Sequence, residues 1–222
     1  MPATDFPPLP DRPDPPDREP ARTPDAALRA AFEAVPRPRF LPASQRGFAG
    51  EDRALPIGHE QTNSQPSTVR EMLALLDVRP GQRVLDVGSG SGWTTALLAH
   101  LVGPTGRVYA VEVVPALVER SRAVLAELDL PQVEVAQARA DVLGLPDQAP
   151  FDRVLVSAEA GELPQELVRQ LRPGGVLVVP VRGTMTRLEV VPGADQPRVT
   201  RHGVYAFVPL HEPPRPPHQH KP

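Results

Sequence analysis

Val84-Leu85-Asp86-Val87-Gly88-Ser89-Gly90-Ser91-Gly92 is a short apolar strand that runs into three glycines at alternate positions, followed by a segment with the composition of a helix. Glycine lacks a Cβ, so the chain can turn sharply there and its backbone can approach a ligand closely. The helix that follows offers unpaired amide groups at its first turn. In an open α/β sheet, the carboxyl end of the first strand is where ligands bind. The spacing separates two ligand types. Dinucleotide sites use G-x-G-x-x-G, whose third glycine allows close helix packing beside a pyrophosphate. In this chain that third position is Trp93, and a bulky ring there argues against NAD or FAD. The bland alternative is a glycine turn between strand and helix with no ligand.

Working outward, helical and strand patterns alternate, the signature of a mostly parallel sheet with helices on both faces. Strands are predicted at Arg83 to Val87, Arg107 to Glu112, Gln132 to Ala136, Asp152 to Ser157 and Val176 to Val181. Helices are predicted at Gly92 to Leu101, Pro115 to Leu128 and Pro164 to Leu171. Upstream, Ala26 to Ala34 reads as a short helix stopped by Pro36 and Pro38. Ser64 to Leu76 reads as another, with Pro66 in its first turn, Ser64 as a favoured cap, and Val69, Met72, Leu73 and Leu76 on one face. Two late strands, Thr186 to Val191 and Gly203 to Phe207, flank a turn at Pro192 to Asp195. The expected fold is α/β: a Rossmann-like, mostly parallel, doubly wound sheet with a C-terminal antiparallel hairpin.

A chain of 222 residues accommodates one such domain. The expected divisions are a disordered Pro-rich arm over residues 1–25, a domain over 26–211, and a Pro/His tail over 212–222. Within the domain, residues 26–80 form a substrate-side segment and 81–211 the core. The arm holds nine prolines and no apolar periodicity. His218 and His220 in the tail lack the further ligands that a stable metal site requires, so no metal is expected. A net charge of -3 offers no broad cationic surface for nucleic acid. The chain has no cysteine, and with it no disulfide framework or thiolate chemistry. No run reaches the roughly 18 apolar residues of a membrane helix, and no secretory signal is recognisable, so the expectation is a cytoplasmic protein.

The glycine pattern, with Asp86 two residues ahead of Gly88, resembles motif I of class I methyltransferases. That resemblance implies S-adenosylmethionine as cofactor, held by Asp86, Gly88, Ser89, Gly90 and Gly92, with Asp86 orienting the loop and the methionine amino end. Glu112, at the tip of the next strand with Val113 after it, can accept hydrogen bonds from both ribose hydroxyls. Asp141, with Val142, stands where such enzymes place a carboxylate that accepts from the adenine amino group.

Ahead of the loop, Glu51-Asp52-Arg53-Ala54-Leu55-Pro56-Ile57-Gly58 leads into Gln61-Thr62-Asn63-Ser64-Gln65-Pro66. This stretch is similar to one peculiar to protein-L-isoaspartate methyltransferases. Val35-Pro36-Arg37 with Phe40-Leu41-Pro42, Arg172-Pro173-Gly174-Gly175 and Phe207-Val208-Pro209-Leu210 resemble further landmarks, so the likeness spans Val35 to Leu210. It implies that Ser64 is the active-site serine, that Gln61 and Thr62 lie near the cofactor, and that the acceptors are isoaspartyl-containing peptides and proteins. The implied step is attack of an already ionised carboxylate on the sulfonium methyl, which needs no strong base. A monomer is the family habit.

The chain departs from the family pattern in three places. Ala140-Asp141-Val142 replaces Gly-Asp-Gly, so Val142 would narrow the adenine wall. His211 replaces a small hydroxyl residue. Glu159 interrupts a run of small residues beside the presumed acceptor site, where it would repel an anion unless Arg182 or Arg53 neutralised it. Two other readings stay open on these grounds: a divergent methyltransferase with a different small-molecule or peptide acceptor, and a non-catalytic S-adenosylmethionine-binding module.

Overall fold

Strand β3 (Arg83–Val87) is buried on both faces from Val84 onward, which is what a continuous apolar strand signifies in a parallel sheet. In the computed structural model, which describes residues 24–211, β3 is an interior strand, third in order across a seven-stranded sheet. The proline-rich arm up to residue 23 and the tail from residue 212, including His218 and His220, lie outside the described residues. Helix α1 (Pro24–Ala34) starts just ahead of the expected boundary. A two-stranded hairpin, β1 (Leu55–Gly58) and β2 (Gln61–Asn63), follows. Then come α2 (Pro66–Leu76), β3, α3 (Trp93–Val102), β4 (Arg107–Glu112), α4 (Pro115–Ala126), β5 (Val133–Gln137) and β6 (Phe151–Val156). The last elements among the described residues are α5 (Gln165–Val168), β7 (Leu171–Val181), β8 (Thr184–Glu189) and β9 (Arg198–Val204).

The strand order is β5-β4-β3-β6-β7-β8-β9. The first four pairings along it are parallel and the last two antiparallel. Chain order runs outward from β3 through β4 to β5, then returns to β6 on the other side of β3. The glycine turn therefore leaves the sheet where strand order reverses, the place at which such sheets open a crevice.

Alternation along the strands sorts the apolar side chains into two cores. Val84, Val108, Leu155, Val176 and Val178 pack under the face covered by α1, α2 and α3. Leu85, Val87, Tyr109, Val154 and Val179 meet Leu143, Leu145 and Leu167 on the other. The same period of two turns Asp86 toward the α3 face, where Thr95 meets it.

Several expectations shift. Helix α2 begins at Pro66 behind Gln65, and no side chain at its own N-cap bonds back to it. Ser64 is therefore not the cap. Asp52 serves instead from fifteen residues away, accepting from Ser67 N–H at 2.9 Å and Gln65 Nε2 at 3.1 Å. Helix α5 is one turn long, because β7 already begins at Leu171, paired with Phe151; the Arg172–Gly175 turn is an excursion inside that strand. The last strand lies at Arg198–Val204, not 203–207, since pairing of Glu189 with Arg198 and Thr184 with Val204 sets it. Its mostly exposed residues carry little apolar pattern to reveal that.

Gly92 stands at the start of α3 with φ +86°, and a Cβ there would lie 3.1 Å from Ser121 Cβ and 3.2 Å from Leu125 Cδ1 on α4. Gly92→Ala is expected to lower unfolding free energy by about 1–3 kcal/mol through left-handed strain and overpacking. Urea denaturation measures it, and an unchanged midpoint would mean that α4 yields freely.

Candidate active site

The turn after β3 is built by its own backbone. Gly88 and Ser89 N–H donate to Val111 O at 2.9 and 3.2 Å, and Gly92 N–H closes onto Ser89 O at 2.9 Å. Gly88, Gly90 and Gly92 all have positive φ, a conformation that side chains resist. A Cβ on Gly90 would sit 3.4 Å from Ile57 Cδ1, so the turn runs close beneath the β1–β2 hairpin. Glu112, buried at the tip of β4, clasps the turn: Oε2 accepts from Gly90 N–H at 2.8 Å and Oε1 from Val114 N–H at 2.9 Å. Each of its oxygens keeps lone-pair capacity for a further donor.

Beside the turn opens a cleft of about 850 Å³ of empty space, open solvent at its mouth included. It is lined by Gly88 to Ser91, Glu112 and Val113, by Ala138, Arg139 and Val142 to Gly144, and by Gln61 to Ser64, Ser157, Ala158 and Val208 to His211. Ser89 Oγ, on this lining, is buried with no hydrogen-bond partner. An orphaned buried hydroxyl, bare glycine backbone and a carboxylate with spare lone pairs fit a polar nucleoside ligand.

The Gln61–Ser64 side of the cleft is held by Arg37, which is 5 % exposed. Its Nε donates to Asn63 Oδ1 at 2.7 Å. Its Nη atoms donate to the carbonyls of Ala49, Glu51, Arg53, Asn63 and Ser64 at 2.8–3.3 Å. Asn63 Nδ2 in turn donates to Ser91 Oγ at 3.1 Å, which links hairpin to glycine turn. The guanidinium lies 5.4 Å from the centroid of Trp93, and Trp93 Nε1 donates to Val35 O at 3.1 Å. Burial depresses the Arg37 pKa, and Asp52 partly offsets this.

Of the residues expected from the sequence, Gln61, Thr62 and Ser64 line the cleft, as do Gly88, Ser89, Gly90, Glu112, Val113 and Val142. Asp86, Gly92 and Asp141 do not. Asp86 is wholly buried behind the turn, with Oδ2 accepting from Thr95 Oγ1 at 2.7 Å and Oδ1 without a partner. Burial above all, with the nearby Glu112 charge, pushes its carboxyl up to about 7 against the Thr95 bond. Gly92 packs on α4. Asp141 is exposed and pairs with Arg139 at 3.2 Å, and it is Arg139 that reaches the cleft. Glu159 is not on the lining either; its Oε2 accepts from Gly183 N–H at 3.0 Å. The two arginines suggested as its counter-charges are engaged elsewhere, Arg182 with Gly161 O and Glu162, Arg53 with Glu51. Sequence reasoning attached no role to Arg37, Asn63 or Arg139. Arg37 lay within a noted motif, but nothing local foretells that one side chain gathers a loop spanning residues 49–64.

A glycine-lined crevice at the switch point of a seven-stranded sheet whose final strands run antiparallel defines the class I S-adenosylmethionine-dependent methyltransferase architecture. A family model described as protein-L-isoaspartate(D-aspartate) O-methyltransferase (PCMT) matches residues 20–213, and the chain belongs to that family. It is 46 % identical over 180 residues to a protein-L-isoaspartate O-methyltransferase of Methanothrix thermoacetophila, covering 81 % of this chain and 85 % of the relative. It is 47 % identical over 185 residues to one of Aeropyrum pernix, covering 81 % and 70 %. A solved structure with the same protein name aligns with a TM-score of 0.75 at 24 % identity, over 82 % of this chain and 60 % of that longer one. A Plasmodium falciparum protein assigned to this activity, in complex with S-adenosyl-L-homocysteine, aligns with a TM-score of 0.71 at 25 % identity, over 83 % and 89 %.

Arg37→Lys keeps the charge but cannot serve so many carbonyls. It is expected to cost about 2–3 kcal/mol in stability and to speed amide exchange across residues 49–64; unchanged exchange would contradict the hub. Asp86 holds its proton more tightly folded than unfolded, so it favours the native state below about pH 4 and that contribution is lost as pH rises to about 7. Asp86→Asn, tested without ligand, is expected to raise the melting temperature relative to the parent at pH 8 and leave it nearly unchanged at pH 4. Equal shifts at both ends would refute the buried-acid assignment.

Proposed function

We propose that this chain transfers a methyl group from S-adenosylmethionine to the free carboxylate of isoaspartyl residues in damaged peptides and proteins. The observation that carries the reading is that the glycine turn and the Gln61–Ser64 edge line one cleft whose only acidic lining residue, among those described, is Glu112, with its two oxygens on the N–H groups of Gly90 and Val114. An anionic acceptor entering beside Ser64 therefore meets hydroxyl and amide groups and no carboxylate besides that one. The reading of Glu159 as a sign of a different acceptor loses its basis, since that side chain is directed to Gly183.

Bound S-adenosylmethionine supplies an electrophilic methyl, so that as a carboxylate oxygen bonds to that carbon the carbon–sulfur bond breaks and neutral S-adenosylhomocysteine leaves with both electrons. Backbone of Gly88 to Gly90 and the Ser89 hydroxyl are assigned to the methionine and sugar portion, and Glu112, flanked by Val113, to the ribose hydroxyls. Gln61 and Thr62, on the same lining, would lie near the cofactor. Asp86 acts from behind, steadying the turn through Thr95 and attracting the ammonium end by its field. Gly92 lets α3 approach α4. The adenine edge falls to Ala138, Val142 and Gly144, and Asp141 reaches the exocyclic amine only by turning from Arg139. Ser64 orients the acceptor oxygen. No side chain need remove a proton, because a carboxyl of ordinary pKa is ionised at neutral pH. Catalysis then rests on alignment and on excluding water from the nucleophile. No helix among the described residues is long and apolar enough to cross a membrane, and the reading is of a cytoplasmic monomer that acts on other proteins and not on nucleic acid.

Labelled S-adenosylmethionine with matched isoaspartyl and aspartyl peptides tests the proposal. Base-labile label on the isoaspartyl peptide alone is expected; equal labelling of both, or of neither, would overturn it. Ser64→Ala is expected to lower kcat by about ten- to a hundredfold with S-adenosylhomocysteine affinity little changed, and a parallel loss of both would contradict its role.

A further inference from the structure

Glu159 joins two pieces of chain that are distant in sequence. Its main chain carries the cleft wall: Glu159 N–H donates to Val208 O at 2.8 Å, and Leu210 N–H donates to Glu159 O at 2.8 Å, with Pro209 bridged between them. Its carboxylate takes Gly183 N–H at the β7–β8 turn. That turn has two left-handed residues, Arg182 at φ 48° and Gly183 at φ 76°. Gly183 O then accepts from Tyr205 N–H at 2.8 Å, so the chain from Tyr205 to Leu210 is pinned at one end by the turn and at the other by Glu159. The Tyr205 hydroxyl donates to Glu71 on α2, the helix that follows Ser64. A closed ring of contacts thus runs from Glu159 through Gly183 and Tyr205 to Val208 and back.

We infer that Glu159 is a positioning residue for the acceptor: by holding Gly183 it sets the place of the Val208–His211 segment, which lines the same cleft as Ser64. The inference rests on the carboxyl methyl-transfer reading for its kinetic expression, though not for its geometry. An ionised acceptor oxygen suits this task, since a charge-assisted bond to a backbone N–H is stronger than a neutral one. The task also explains how a carboxylate stands next to Ala158, which does line the cleft, without confronting an anionic substrate. Arg182 directs its guanidinium to Gly161 O and Glu162, so the N–H of Gly183 is what receives the Glu159 charge.

The test compares Glu159→Gln, whose amide oxygen can still accept from Gly183, with Glu159→Ala and Glu159→Met, which cannot; Met keeps the volume should Ala fail to fold. The readouts are KM and kcat for an isoaspartyl peptide, S-adenosylhomocysteine affinity, melting temperature, and amide exchange at Gly183, Tyr205 and Leu210. Ala or Met is expected to raise acceptor KM about tenfold, the equivalent of one lost hydrogen bond, with kcat and S-adenosylhomocysteine affinity within about twofold and faster exchange at the three amides. Gln is expected to restore KM to near the parent value. If Gln and Met both lowered KM, the charge would be facing the acceptor and the inference would fail. It would also fail if Met matched the parent in KM and in exchange. A parent protein inactive on isoaspartyl peptide would defeat the functional reading alone, leaving amide exchange to decide whether Glu159 holds the wall.

Discussion

A single buried guanidinium, bonded to carbonyl and amide oxygens, ties the substrate-side segment to the sheet. Arg37 spends its donors on five carbonyls and one amide oxygen spread over residues 49–64. A lysine could not, and water could not reach to replace it. Burying that charge costs desolvation, which Trp93 moderates by offering its ring face. Four of the five carbonyls it gathers, those of Ala49, Glu51, Arg53 and Ser64, lie outside the β1–β2 hairpin and have no strand partner to bond to. Through Asn63 and Ser91 the same contacts fix the distance between the Ser64 edge and the glycine turn.

The two acids nearest that turn show how environment divides one chemistry into two tasks. Glu112 has both oxygens on backbone N–H groups and faces the cleft. Asp86 is two residues from the first glycine, yet it is sealed on the α3 side with one oxygen unpartnered. The first is ready to accept from a ligand. The second stores an electrostatic cost that a cation nearby would relieve, which ties the stability of the turn to what sits in front of it. Glu159 is a third case, a carboxylate in an awkward place that becomes useful once its partner is a main-chain amide and not a substrate.

The parts of the fold that could be read in advance are those whose signal is local. Strands β3 and β4 fall where apolar runs end at Val87 and Glu112, and α2 buries the face formed by Val69, Met72, Leu73 and Leu76. The β1–β2 hairpin gave no such signal. Its turn places His59 and Glu60 at positive φ, where glycine or asparagine would normally announce a hairpin. Strand β9 was misplaced for the opposite reason: it is an edge strand with mostly exposed side chains, so its register comes from pairing with β8 and not from apolar alternation.

The amino-acid sequence by itself determined the α/β class, the glycine turn with its preference for a nucleoside lacking a pyrophosphate, the acid at the next strand tip, and the family. Each is carried by residues close together in the chain, where spacing and backbone freedom suffice. Only the tertiary structure decided that Asp52 caps α2 in place of Ser64, that Arg139 stands at the cleft while Asp141 lies outside it, that Arg37 binds the Asn63–Ser64 edge, and that the Glu159 carboxylate goes to Gly183 and not to the cleft lining. Those depend on contacts between segments from two to more than twenty residues apart, where the direction of a side chain follows from which backbone donor or acceptor has been left without a partner, and no local pattern records that.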